Sequence, residues 1–117
     1  MDTVILVPTT TETFGDPPQV LQIPITRLEA ASTAAFKAQC QETVAGRPCH
    51  LGIDLGTVEF VDSSGLGALV ACVKQVQGLG GKASVIAPRP LVLQLLEVSG
   101  LARVLTVYGS RREFETV

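Results

Sequence analysis

The chain has 117 residues, of which 46% are hydrophobic and 17% are charged. This length fits one domain, and the composition fits a chain that buries an ordinary apolar core. The formal net charge is −2 and there is no basic run, which argues against nucleic acid or an anionic membrane as a partner. No apolar run approaches the roughly 18 residues of a membrane span and no secretory leader is visible, so we expect a cytoplasmic protein.

The residues before position 27 predict strands joined by a long connection. Thr3–Val7 is rich in β-branched side chains and ends at Pro8, which favours an edge strand. Val20–Ile25 is also strand-like, and Pro24 within it requires an edge or irregular position. We therefore expect an N-terminal edge strand or hairpin within residues 1–26.

From residue 27 onwards, helical and strand patterns alternate. The predicted helices are Glu29–Ala45, a second that begins within the motif of residues 62–67, Leu91–Ser99 and a short Arg111–Thr116. The predicted strands are His50–Val61, Ala83–Ala87 and Val104–Val107. This alternation predicts an α/β fold with a mixed, largely parallel sheet of about four or five strands and about four helices. We expect one domain over residues 1–117, with residues 27–117 as its βα core.

The second helix has two contrasting sides. An apolar stripe with helical spacing predicts its core-facing side, made of Leu69, Val70, Val73 and Val76. Gly67 and Ala71 fall on the other side, where small residues permit close backbone approach by another molecule. The alternative is that these residues are small because another element of the same domain crosses over them.

The cysteines and the histidine do not form a recognisable reactive set. Cys40, Cys49 and Cys72 are odd in number and have no metal-ligand spacing, which favours free thiols in a reducing compartment. Cys40 and Cys72 fall in predicted helices, where a thiol acts as a small core side chain. His50 is expected at a strand edge or on the surface. The sequence therefore predicts no disulfide, no metal and no cofactor.

Residues 61–67, Val-Asp-Ser-Ser-Gly-Leu-Gly, lie where a strand meets a helix. The first N–H groups of a helix lack intrahelical partners, and together with the helix dipole they favour negative charge. Asp62 or Ser63 would serve as the helix cap. The junction is therefore suited to hold or receive an anion.

Catalytic interpretations of this junction are weaker. A nucleophile elbow needs Gly-x-Ser-x-Gly, which is absent around both serines. A dinucleotide site needs a third glycine where Val70 stands. Asp54 and Asp62 flank one loop and in principle suit Mg²⁺, although a turn residue and a helix cap explain them more simply. We therefore expect no enzyme activity.

The stretch Leu51–Gly67 and the later Val98-Ser-Gly-Leu101 resemble the signature of STAS domains, specifically of bacterial anti-sigma factor antagonists. The resemblance implies the STAS fold and a regulatory cycle. The unmodified domain binds an anti-sigma factor that is commonly a serine kinase, and thereby frees the sigma factor. The kinase then phosphorylates the first serine of the motif, here Ser63, and a PP2C-type phosphatase resets the cycle.

The same resemblance, with the exposed small face of the second helix, gives a set of expected partner-binding residues. They are Glu29, Asp62, Ser63, Ser64, Gly65, Leu66, Gly67 and Ala71. One departure affects this set, because the family's Gly-x-Leu-Asp is Thr26-Arg27-Leu28-Glu29 here. The alternative is a STAS domain that is never phosphorylated, either a scaffold in a sensory complex or a partner of a membrane transporter. The oligomeric state is left open.

Overall fold

Strands and helices alternate in the computed structural model, which describes residues 18–22 and 24–116. In chain order the elements are β1 (Gln19–Leu21), β2 (Arg27–Leu28), α1 (Thr33–Val44), β3 (His50–Asp54), β4 (Phe60–Val61), α2 (Ser63–Gly78), β5 (Lys82–Ile86), α3 (Pro90–Val98), a 3₁₀ turn (Leu101–Arg103), β6 (Thr106–Tyr108) and α4 (Arg111–Glu115). The four α-helices of the described residues match the number expected from the sequence.

The main sheet has four strands in the order β1-β3-β5-β6, and every neighbouring pair is parallel. This arrangement confirms the predicted α/β class and the largely parallel sheet. β1 lies at one edge, as expected for an N-terminal strand. Thr3–Val7, the other strand predicted there, lies outside the described residues.

The two faces of the sheet pack against different helices. Leu51 and Ile53 of β3 lie in the main core cluster, which includes the buried side chains of α1 and α2. The opposite face meets Phe114 of α4, and a Cβ atom at Gly52 would lie 2.8 Å from the Phe114 ring. Gly52 therefore allows α4 to approach the sheet closely.

A second, two-stranded sheet pairs β2 with β4 in parallel, with Leu28 opposite Val61. The single strand predicted over His50–Val61 is therefore wrong, because it is two strands that belong to different sheets. A turn separates them, and Asp54 Oδ1 accepts the Gly56 N–H at 2.9 Å within it. The small sheet brings the segment before α1 against the start of α2.

The prediction of free thiols is wrong for two of the three cysteines. Cys40 of α1 and Cys72 of α2 form a disulfide, with their Cα atoms 6.3 Å apart. Both residues lie on the buried sides of helices that pack together, so their side chains meet although 32 positions separate them in sequence. Cys49 lies outside this disulfide and is buried.

The expected surface position of His50 is also wrong. His50 begins β3, an inner strand of the sheet, and is only 8% exposed. Its Nε2 lies 2.9 Å from Ser84 Oγ, and its ring packs edge-on against Phe114 with centroids 4.7 Å apart. α4 covers this face of the sheet, which the strand pattern alone did not reveal.

Candidate functional site

The candidate site is built on the first turn of α2. Asp62 is the N-cap, and its Oδ1 accepts the backbone N–H of Gly65 at 2.8 Å. This bond satisfies one of the N–H groups that a helix start leaves without an intrahelical partner. Ser63 and Ser64 follow the cap and are both exposed. The first turn therefore presents two hydroxyl groups to solvent at the positive end of a helix of 16 residues.

Leu28 of β2 fixes this turn from the other side. Its carbonyl oxygen accepts the backbone N–H of Asp62 at 3.2 Å. The same oxygen occupies the space that a Cβ atom of residue 65 would need. Gly65, which we expected to contact a partner, is instead buried, because β2 crosses the helix at this glycine.

Glu29 follows Leu28 and is half-buried. Its Oε2 pairs with Arg27 Nε at 3.2 Å, and the Arg27 guanidinium lies 4.2 Å from the centre of the Phe60 ring. Ser32 Oγ holds the turn by accepting the Glu29 N–H at 3.0 Å and donating to the Arg27 carbonyl at 2.8 Å. No sequence pattern indicates Arg27 or Phe60 as site residues, because strands of two residues have no period, and Ser32 lies in the turn that follows β2.

Four exposed residues of α2 form what we call the docking surface: Ser63, Ser64, Gly67 and Ala71. Ser63, Gly67 and Ala71 are spaced by four, so they lie in a line along one side of the helix. A Cβ atom at Gly67 would meet no other atom within 4 Å, so no other described part of the domain covers this glycine. The docking surface is therefore exposed and is formed by small residues.

The opposite side of α2 faces the core. Leu69, Val73 and Val76 are each at most 3% exposed, as expected for the apolar stripe. Val70, predicted as a full member of the stripe, is only half-buried, and Leu66 is likewise partly buried against the core. Part of Leu66 is therefore exposed next to the docking surface.

The two carboxylates considered for Mg²⁺ serve separate structural roles. Asp54 Oδ2 pairs with Arg111 at 2.9 Å, and Asp62 caps α2. Within residues 18–22 and 24–116 there is no group of three or more His, Cys, Asp and Glu side chains that could hold a metal ion. Among the same residues, no helix combines the length and the apolar character needed to cross a membrane.

Comparisons with known proteins identify the family. The family model described as "Mlab, STAS domain" matches residues 18–107. The anti-sigma F factor antagonist of Paenibacillus polymyxa is 34% identical over 84 residues, which cover 71% of this chain and 72% of that protein.

Solved structures share the fold. An anti-sigma-factor antagonist (STAS) domain protein from Planctomyces limnophilus superposes with a TM-score of 0.76 at 23% identity, covering 85% of this chain and 88% of that one. The Bacillus cell fate determinant SpoIIAA in its phosphorylated form superposes with a TM-score of 0.62 at 18% identity, covering 80% and 84%.

The parallel sheet, the small second sheet and the position of α2 are those of an α/β domain with the STAS fold. The chain belongs to the STAS domain family.

Proposed function

We propose that this protein is a cytoplasmic anti-sigma factor antagonist whose partner binding is switched by phosphorylation of Ser63. In its unmodified form it binds an anti-sigma factor that is also a serine kinase, and the sigma factor is released. Phosphorylation of Ser63 ends the complex, and a PP2C-type phosphatase restores the binding form. The protein acts through protein–protein contacts and catalyses no reaction itself.

The position of Ser63 is the observation that carries this proposal. Its hydroxyl is exposed at the first turn of α2, in line with Gly67 and Ala71. A kinase active site needs an accessible hydroxyl, and a partner pressed against the docking surface would cover that same group. One residue therefore serves as both the modification site and part of the contact.

Electrostatics supports a switch that acts by blocking the contact. A phosphoserine carries roughly −1.5 to −2 charges at neutral pH, and a helix N-terminus favours negative charge within its own domain. Against a partner surface the same charge must lose water and lie beside whatever the partner presents, which is costly without a cationic group. Asp62 already supplies one negative charge at this turn, so the phosphate adds to it.

The other residues that we expect to contact the partner are Glu29, Asp62, Ser64 and Leu66. Asp62 and Ser64 flank Ser63 in sequence, and Leu66 is partly buried one turn further on. Glu29 follows Leu28, whose carbonyl oxygen accepts the Asp62 N–H. Glu29 stands where the family has an aspartate and Thr26 where it has a glycine. Arg27 pairs with Glu29, so this chain presents a cation beside its acidic residue. We propose that this difference contributes to the choice of partner.

The test is to map phosphorylated peptides after incubation of the full chain with its anti-sigma factor kinase and ATP. The proposal predicts a single modified residue, Ser63. Ser63→Ala should abolish labelling, and Ser64→Ala is the matched control that should keep it. Labelling confined to Ser64, or undiminished in Ser63→Ala, would contradict the assignment.

The same experiment separates the alternative function. If the kinase binds the unmodified chain but labels neither serine, the protein is a STAS scaffold that is never phosphorylated. A transporter-associated role predicts that no anti-sigma factor binds at all.

A further inference from the structure

A shallow groove runs between α1 and α2, and the Cys40–Cys72 disulfide forms part of its lining. The other residues that line it are Lys37, Gln41, Ala71 and Gln75. Ala71 also belongs to the docking surface, so the groove adjoins that surface at this residue. The disulfide therefore joins the helix that carries Ser63 to its neighbouring helix, directly beside the proposed contact.

The surroundings of Cys40 offer a hydrogen-bond acceptor to the reduced form. Cys40 Sγ lies 3.8 Å from Gln75 Oε1. A thiol at Cys40 can donate its proton to that oxygen, whereas a disulfide sulfur has no proton to donate. Reduction therefore leaves Cys40 with an acceptor already in place.

We propose that Cys40 and Cys72 are a reversible redox couple that sets how firmly the docking surface is held. Oxidation by a peroxide begins with attack of one thiolate on an oxygen, which gives a sulfenic acid and releases hydroxide. The second thiol displaces the sulfenic oxygen as water and closes the disulfide. In sum, two thiols and one hydrogen peroxide give one disulfide and two waters. A dithiol reductant reverses the bond by exchange and is itself oxidised to a disulfide.

The regulatory meaning of this couple rests on the proposed function. In a cytoplasmic protein a disulfide is usually transient and redox-sensing rather than permanent. The oxidised form ties α2 to α1 at Cys72, next to Ala71 in sequence. A docking surface that is already rigid loses less conformational entropy when a partner binds, so the oxidised form should be the better binder. Reduction releases this constraint while the packing of the two helices remains.

The test uses the full chain and needs no partner, so its result is independent of whether Ser63 is phosphorylated. The chain is equilibrated in glutathione buffers that span the reduced-to-oxidised ratios of a cytosol, quenched with acid, unfolded and labelled with N-ethylmaleimide. The oxidised form has one thiol outside the disulfide, that of Cys49, and takes one label once the chain is unfolded. The reduced form takes three labels, one for each cysteine of the chain. The proposal predicts that both forms are populated within the series.

Amide hydrogen exchange of the two forms then measures the effect on the docking surface. We expect exchange in residues 67–75 to be about tenfold faster, or more, after reduction, because a cross-link between these helices is lost. Cys40→Ser should exchange like the reduced chain under all conditions, and Cys49→Ser is the matched control that should keep the redox dependence. If Cys40→Ser does not fold, the comparison of hydrogen exchange between the oxidised and reduced natural chain is sufficient to test the prediction.

Three results would overturn the proposal. The first is that the disulfide stays intact in every buffer, which would mark a permanent structural bond. The second is that it never forms, even after treatment with peroxide. The third concerns the case in which both forms occur. Both forms are populated but exchange equally in residues 67–75.

Discussion

Glycine occupies positions 65 and 67, in the first turns of α2, for two different physical reasons. Gly65 is buried beneath the Leu28 carbonyl, so its hydrogen side chain lets β2 cross the helix. Gly67 faces open space and costs the helix conformational entropy without gaining internal contacts. A glycine that weakens a helix and packs against nothing in its own domain is consistent with a surface that another molecule approaches.

Matched alanine substitutions separate these reasons. Gly67→Ala should raise the free energy of unfolding by about 0.5–1 kcal/mol, because alanine is the better helix former and its Cβ is unobstructed. Gly65→Ala should lower it by about 1–3 kcal/mol, since the added methyl group forces β2 and α2 apart. Urea unfolding of both variants measures the difference. Equal effects of the two substitutions would contradict the packing described for this turn.

A larger side chain at Gly67 tests the docking surface itself. Gly67→Leu should weaken binding of the anti-sigma factor about tenfold or more, because the side chain holds the two surfaces apart. Stability should not fall, since the position is open. Gly78→Leu is the control, because Gly78 is also exposed with free space around it and lies about three helical turns away. Titration calorimetry should show unchanged affinity for that control, and equal losses for both variants would exclude the docking surface.

A negative charge introduced at position 63 should weaken partner binding without unfolding the domain. In Ser63→Asp the carboxylate gains about 0.3–1 kcal/mol from the helix start and loses part of that gain through repulsion by Asp62. The free energy of unfolding should therefore change little, while partner binding weakens. A steep loss of thermal stability together with binding would show that the substitution unfolds the domain instead of blocking the contact.

At the scale of whole elements, α2 is held on its core side by aliphatic packing. Val73 is 3% exposed within the main cluster. Val73→Ala should cost about 1–3 kcal/mol of folding free energy, from lost burial and the cavity that remains. Its effect on partner affinity, measured at a temperature where the variant is folded, should be small. A large loss of affinity in the fully folded variant would place the contact on the wrong side of the helix.

The bond between α1 and α2 adds a second restraint. A disulfide that closes a loop of this length contributes about 2–4 kcal/mol, mainly by restricting the unfolded chain. Guanidinium unfolding of the oxidised and reduced chains should differ by that amount. No difference would mean that the unfolded chain gains no freedom when the bond is reduced.

Sequence patterns predicted the elements that repeat a period over several turns. α2 begins at the motif, as expected, and of the two caps that the sequence offered the structure uses Asp62, so that Ser63 is the first helical residue. β2 and β4 were missed as a pair, since strands of two residues have no period and their pairing joins residues 33 positions apart, as in Arg27 with Phe60. The side chains around Glu29 were missed for the same reason.

At the scale of the whole molecule, contacts distant in sequence account for the other errors. The Cys40–Cys72 disulfide depends on which sides of α1 and α2 meet, and cysteine spacing does not contain that information. The burial of His50 depends on α4, more than 60 positions later in the chain, which places Phe114 on that face of the sheet. Local pattern thus predicted the layers of the fold, whereas tertiary packing determined which polar and sulfur groups meet.

We propose that one exposed serine, Ser63, controls access to a partner surface on an otherwise unchanged domain. The most direct measurement is the affinity of the anti-sigma factor for the chain carrying genetically encoded phosphoserine at position 63, compared with the unmodified chain. We predict a loss of about 100-fold or more, since an unpaired charge at an interface costs several kcal/mol, with no change in the far-ultraviolet circular dichroism of the free domain. Equal affinity of the two forms would contradict the account.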